Sequence, residues 1–401
     1  VNEMPPHIDD RFRIVSRVEA SPTGALDRLV KQKLADGIDV ARLNGGYVDH
    51  PPPAAAVAAA EAAAHSAELA RYTANAGLPR LRAEIAAWYG ELGIPVEQEE
   101  IIVTNGAKHA ISLALRLILD RGDEVILPTP HWPTFPAAVS LAGGVPVPAP
   151  SVEGPGSPLS IPALDAAATE RTKAVILVAP DNPSGRCADS AEIDDICDWA
   201  YRRGVWVILD QTYAGLEYGS VDAVRRQHTR RHRNLVRVGA ISKTFCLPGW
   251  RIGWLTGTRE LIAAGCAVQS HTVSHVSNVA QMGAVGALQE RASFVPPLLK
   301  ELQDRRDGVC TELEDIDGVR LDRPSGGIYA FADVRQSLER LTYASTREFA
   351  ERVLETHRVA VLPGEAFGAP GWLRLSFGGR EKANAIASDR LRAALTGRDQ
   401  E

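Results

Sequence analysis

Lys243 stands in Ser242-Lys243-Thr244, just after an apolar run and ahead of Pro248-Gly249-Trp250-Arg251-Ile252-Gly253-Trp254. A lysine that emerges from a buried strand is costly unless its amine is paired or chemically used. Desolvation lowers the pKa of such an amine and makes it a nucleophile able to form a Schiff base with a carbonyl. Arg251, shortly afterwards, offers a guanidinium that can grip a phosphate bidentately. A second arginine, Arg374, interrupts the apolar run Trp372-Leu373-Arg374-Leu375-Ser376. A charge there is expensive unless it meets an anion, and a carboxylate matches its planar fork. Asp210-Gln211-Thr212-Tyr213 closes another apolar run; alone, its aspartate reads as a helix N-cap. Asp181-Asn182-Pro183-Ser184-Gly185 reads as a turn. Asn105-Gly106-Ala107-Lys108-His109 opens a helix, where free N–H groups and the helix dipole form a cradle for phosphate. Trp132, in Pro130-His131-Trp132-Pro133, reads by itself as core packing.

These groups need a frame. Ile101–Val103, Glu124–Leu127, Ala174–Val178, Val205–Leu209 and Leu235–Val238 are short apolar runs, the pattern of parallel strands covered on both faces. Helical stretches alternate with them, beginning with Ala107–Leu119, which is apolar on most faces and is predicted to be buried. The alternation predicts an α/β domain. Ligands in such sheets bind beyond the carboxyl ends of the strands, so the loops carrying Lys243, Asp210 and Asn182 should converge. Pro51-Pro52-Pro53 followed by Ala54–His65 predicts a helix, because proline suits a first turn and alanine propagates it. Ala25–Leu34 predicts another within an irregular N-terminal arm. The proline-rich stretch Val145–Pro158 reads as a surface loop. Toward the C-terminus, Val319–Leu321, Gly327–Phe331, Val359–Leu362 and Trp372–Ser376 are short strands among helices such as Thr346–His357, an α+β pattern.

The run Ser242–Gly253 resembles the lysine signature of class I/II aminotransferases, which are pyridoxal-phosphate (PLP) enzymes of fold type I. The likeness extends from about Ser16 to the C-terminal helix. It implies a large domain with a mostly parallel sheet flanked by helices (residues 55–290) and a smaller α+β domain. The smaller domain would be formed by residues 291–401 together with part of the arm, 1–54. It also implies that Lys243 holds PLP as a Schiff base and acts as general base. Asp210 would pair with the pyridine nitrogen, while Tyr213 and Asn182 bond the phenolic oxygen. Gly106, Ala107, Lys108, Ser242 and Arg251 would hold the phosphate, and Trp132 would stack on the ring. Arg374, with Asn182 and the N–H of Gly46, would clamp the α-carboxylate of an amino acid substrate. Tyr72 would reach the phosphate of a neighbouring subunit, which makes the active unit a homodimer. Three single positions depart from the family pattern: Ala240 replaces a frequent phosphate-binding serine, Gln211 an acidic residue, and Asp181 an asparagine. Tyr47-Val48-Asp49 stands where transaminating relatives carry Glu-Pro-Asp.

The bulk properties narrow the rest. A formal charge of -6 gives no electrostatic reason for a nucleic-acid or anionic-membrane partner. The arginine-rich run Arg225–Arg233 has no interleaved aromatics and reads as a solvated loop. No apolar run is long enough to span a bilayer, and Val1–Arg13 has no apolar signal core, so a cytoplasmic location is expected. Five scattered cysteines without a C-x-x-C pair indicate neither disulfides nor zinc. His271 and His275 are spaced like a metal pair but lack the H-E-x-x-H glutamate, so no metal is expected. The chemistry expected is transamination of an L-amino acid. The alternative is β-elimination, replacement or cyclisation from the same carbanion, as in a capreomycidine-synthase-like cyclase acting on hydroxylated arginine. No second arginine is evident for a distal carboxylate, and Asp49, Asp181 and Glu217 are the acidic candidates for a basic substrate side chain.

Overall fold

The computed structural model describes residues 21–398, apart from 152, 153, 155 and 220–231. In chain order its strands are β1 (Ala41–Arg42), β2 (Ile101–Thr104), β3 (Glu124–Thr129), β4 (Val145–Pro150) and β5 (Thr172–Val178). There follow β6 (Trp206–Asp210), β7 (Leu235–Ala240), β8 (Gly253–Thr256) and β9 (Arg320–Leu321). The last are β10 (Tyr329–Asp333), β11 (Val359–Ala360), β12 (Leu362–Pro363) and β13 (Trp372–Ser376).

Seven strands form one sheet in the order β2-β8-β7-β6-β5-β3-β4. The pairs β3–β4, β3–β5, β5–β6 and β6–β7 are parallel, and β8 runs antiparallel to both β7 and β2. Strict alternation explains why these runs are largely apolar. Val125 and Leu127, Ala174 and Ile176, and Ile208 pack into a core on one face. Their neighbours Ile126, Val175, Leu177, Val207 and Leu209 pack into a second core on the other. The helix Ala107–Ile118 fills the first core with Ala110, Ile111, Leu113, Ala114 and Leu115. It is not buried all round, because Lys108 and Arg116 remain exposed. The helix Ser190–Arg202 fills the second core with Ile193, Ile196 and Trp199.

One expected loop is corrected. Val145–Pro150 is not loop but the edge strand β4, paired in register with β3. Its prolines alternate at 146, 148 and 150, so the missing N–H groups all fall on the open edge, while Val145 N donates to Asp123 O at 2.8 Å. The strand β8 went unread because Gly253-Trp254 looked like part of the lysine signature alone. The run Arg225–Arg233, expected as a solvated loop, lies largely outside the described residues.

A smaller antiparallel sheet has the order β12-β13-β10-β9. Arg374 sits mid-strand in β13, opposite Phe331 of β10 and Leu362 of β12. β1 pairs in parallel with β11, which ties the segment ending at Gly46 to the C-terminal part of the chain. The helix Pro22–Ala35 packs there through Val30, beside Val40, Leu354 and Ala360. Among the described residues no helix is long and apolar enough to cross a membrane.

Candidate active site

Loops at the carboxyl ends of β3, β5, β6 and β7 meet the start of the helix Ala107–Ile118 and the strand β13 around one cavity of about 660 Å³. Its walls include Gly46, Ala107, Lys108, Trp132, Asn182, Asp210, Tyr213, Ser242, Lys243, Arg251 and Arg374. Eleven of the thirteen residues expected from the sequence are therefore brought together. Gly106 stands directly behind the wall as the N-cap of the helix. Tyr72 is elsewhere: it is 90% exposed, with its ring set edge-on to His275 at 5.7 Å.

The expected phosphate cradle depends on a close approach. Gly106 has φ +78°, and a Cβ there would lie 2.3 Å from Arg251 Nη2. Arg251 is itself left-handed (φ 58°), and its guanidinium donates to Pro248 O at 2.9 Å and Asn105 O at 3.3 Å. Ala107 and Lys108 are the first helical residues, whose N–H groups have no partner within the helix. Lys108 Nζ lies 5.0 Å from the Trp132 ring centroid. Burial and the neighbouring cations Arg251 and Lys243 hold its pKa below the usual lysine range.

Lys243 is half-buried, and its amine donates to Gly46 O. Burial lowers its pKa; Arg374 and Arg251 add to the effect, against Tyr329 and Asp210. Asp210 ends β6 and is buried. Its Oδ1 accepts the Thr212 N–H at 2.9 Å and the Thr212 hydroxyl, so it folds its own turn rather than capping a helix. Burial raises its pKa, and Thr212 and Lys243 work the other way. Tyr213 donates to Tyr329 Oη at 3.1 Å, and burial lifts its pKa well above the ordinary phenol value.

On the opposite wall Arg374 is 2% exposed. Its Nη1 donates to Asn182 Oδ1 at 3.1 Å and its Nη2 to Asn44 O at 3.2 Å. The guanidinium lies 4.1 Å from the Tyr329 ring centroid and 5.1 Å from that of Phe367. No carboxylate of the described residues touches it.

Sequence reasoning missed Tyr329, Asn44, Arg42 and Asp27, and read Tyr47 only as a departure from the family; all five line the cavity. Tyr329 lies in an apolar strand and looked like core; Asn44 acts through its backbone, which no motif displays. Asp49, Asp181 and Glu217, the acidic candidates for a basic substrate, do not line the cavity. Asp181 accepts Ser184 N at 3.0 Å and the Ser184 hydroxyl at 2.5 Å, Glu217 accepts Gly215 N at 2.9 Å, and Asp49 pairs with Arg380 at 3.4 Å.

The family model for aminotransferase class I and II matches residues 38–391. The chain belongs to the class I/II aminotransferases. An aspartate aminotransferase of Streptomyces avermitilis is 38% identical over 370 residues, covering 90% of this chain and 91% of the relative. A probable aspartate/prephenate aminotransferase of Aquifex aeolicus is 34% identical, covering 95% and 97%. Among solved structures, the Thermus thermophilus aspartate aminotransferase with maleate superposes with a TM-score of 0.87 at 30% identity, covering 95% of this chain and 98% of that one. The protein is thus a PLP-dependent aminotransferase of fold type I. These relatives lend no support to the elimination or cyclisation alternative.

The site's own chemistry fits the aminotransferase cofactor. A nucleophilic amine, a buried carboxylate, an aromatic face and a cationic helix N-terminus ring one cavity. Arg374 Nε and Asn44 Oδ1 are buried without a hydrogen-bond partner, which leaves polar groups for a ligand to satisfy.

Proposed function

We propose that this aminotransferase acts on a dicarboxylic L-amino acid of the aspartate class, with a dicarboxylic oxo acid as amino acceptor. The observation that carries the reading is Lys108: among the described residues it makes no ion pair, yet it stands in the cavity that also holds Arg374. One cation for each carboxylate is the minimum a dicarboxylate needs. The names of the relatives, and the maleate in the Thermus structure, support the same class.

When bound, PLP supplies an aldehyde that takes up the amino group and a ring that withdraws electrons from the substrate Cα. The amine of Lys243 would hold that aldehyde and would move the proton at the substrate Cα; burial lowers its pKa, which favours the free base. Asp210 would pair with the ring nitrogen and keep it protonated, and Tyr213 and Asn182 would serve the phenolic oxygen. Trp132 would cover the ring face. The N–H groups of Gly106, Ala107 and Lys108, together with Ser242 and Arg251, grip the phosphate. Arg374, Asn182 and Gly46 orient the α-carboxylate. Tyr72, exposed on this protomer, reaches the phosphate site of a second copy in a homodimer. Residues 55–290 carry the cofactor, 291–401 with part of 1–54 form the smaller domain, and the enzyme works in the cytoplasm.

The experiment is to mix holoenzyme with single amino acids, with no oxo acid present. Stoichiometric oxo acid from aspartate or glutamate, in excess over alanine or ornithine, supports the proposal. Turnover without an acceptor contradicts transamination. A Lys108→Met variant that still prefers dicarboxylic over monocarboxylic substrates contradicts the role of Lys108.

A further inference from the structure

At the mouth of the same cavity two cations share one carboxylate. Asp27, on the helix Pro22–Ala35, accepts Lys31 Nζ at 2.7 Å and meets Arg42 Nη2 at 3.5 Å. All three line the cavity, as does Tyr47, whose ring centroid lies 5.8 Å from the Arg42 guanidinium carbon. The count, two positive charges against one negative, leaves this rim one positive charge in excess.

Arg42 is the more weakly held of the two cations. Its contact with Asp27 is the longer of the two, and its side chain keeps 27% of its exposure. Asp27 loses little when Arg42 turns away, because Lys31 stays with it, and partly exposed pairs of this kind contribute little to stability. The backbone under Arg42 is fixed: β1 is paired with β11, and Leu43 N donates to Ala360 O at 2.9 Å. Arg42 stands two residues before Asn44, whose backbone O accepts from Arg374. The arginine is thus anchored two residues from the clamp for the α-carboxylate.

We propose that Arg42 is a specificity-determining residue, which leaves Asp27 to engage the distal carboxylate of a dicarboxylic substrate or acceptor at the cavity mouth. This rests on the dicarboxylate reading above. Lys108 then serves one part of the cavity and Arg42 another, so acids of different chain length can each find a counter-charge. Tyr47, where transaminating relatives carry glutamate, supports the guanidinium by a cation–π contact.

The test measures binding of maleate and of butyrate to PLP-loaded enzyme by calorimetry, alongside steady-state kinetics with L-aspartate and L-alanine. Arg42→Gln is expected to weaken maleate about tenfold or more while butyrate changes less than about twofold. KM for aspartate rises and kcat holds. Arg42→Lys, which keeps the charge, restores part of the selectivity, and Asp27→Asn, which frees Arg42, tightens maleate. Equal loss for maleate and butyrate, or no loss for either, overturns the assignment, as does weaker maleate binding in Asp27→Asn. If wild-type enzyme binds maleate no better than butyrate, the dicarboxylate reading itself fails. If maleate selectivity is lost in Lys108→Met but intact in Arg42→Gln, only the role of Arg42 fails.

Discussion

Arg374 Nη1 donates to Asn182 Oδ1 at 3.1 Å, joining mid-strand β13 to the turn after β5 across 192 positions of the chain. The bond fixes the guanidinium against the large sheet while its Nε stays unpartnered. A buried arginine in that condition is prepared for an anion.

Removing that charge costs substrate binding. Arg374→Gln is expected to raise KM for amino acid substrates about 10- to 150-fold, the worth of hydrogen bonds to a charged group. Cofactor content at saturating PLP should stay unchanged. Steady-state kinetics with absorbance of the bound cofactor checks both; an unaltered KM would refute the clamp.

Lys243 makes a prediction about stability that runs opposite to the one about activity. Its folded pKa lies below 10.5, so the unfolded chain binds the proton more tightly. Between the lowered value and 10.5 the stability of the cofactor-free protein therefore rises with pH, and below that window the penalty is full and constant. Lys243→Met abolishes transamination, yet its cofactor-free form should melt above wild type at neutral pH. The gap should narrow as pH approaches 10.5. Melting curves across pH decide it, and a less stable variant would contradict the lowered pKa.

Gly106→Ala places a side chain where φ is +78° and Arg251 already stands. A loss of about 1–3 kcal/mol is expected from the strained backbone. Because Arg251 must shift, PLP should also dissociate faster. Urea unfolding and PLP release read the two effects separately; retained stability with unchanged release would exclude the cradle.

Asp210→Asn removes the carboxylate and keeps the shape. Burial already works against ionisation at this position, so the cofactor-free fold should tolerate the amide. The value of kcat should fall on the order of 10²–10³-fold, the usual weight of one preorganised charge. A kcat within about threefold of wild type would show that the ring nitrogen does not depend on Asp210.

Where the sequence was legible, a local cost made it so. Arg374 was readable because a charge in an apolar strand demands an anion, and Lys243 because an amine after a buried run demands a use. The strands β3, β5, β6 and β7 were readable because both faces are covered, which makes most of their residues apolar. β4 was misread since its prolines signal loop unless one knows that it lies at an edge, a fact set by its partner β3. Tyr329 and Arg42 were invisible for the opposite reason. A tyrosine in a strand and an arginine near the N-terminus cost nothing locally. Their place in the site comes from contacts made far along the chain, such as Tyr213 with Tyr329 at 3.1 Å.

The most direct measurement is borohydride reduction of PLP-loaded protein, followed by peptide mass mapping. The account predicts a pyridoxyl group on Lys243, and its loss from that peptide in Lys243→Met. A label on Lys108 or any other lysine, or no label at all, would contradict it.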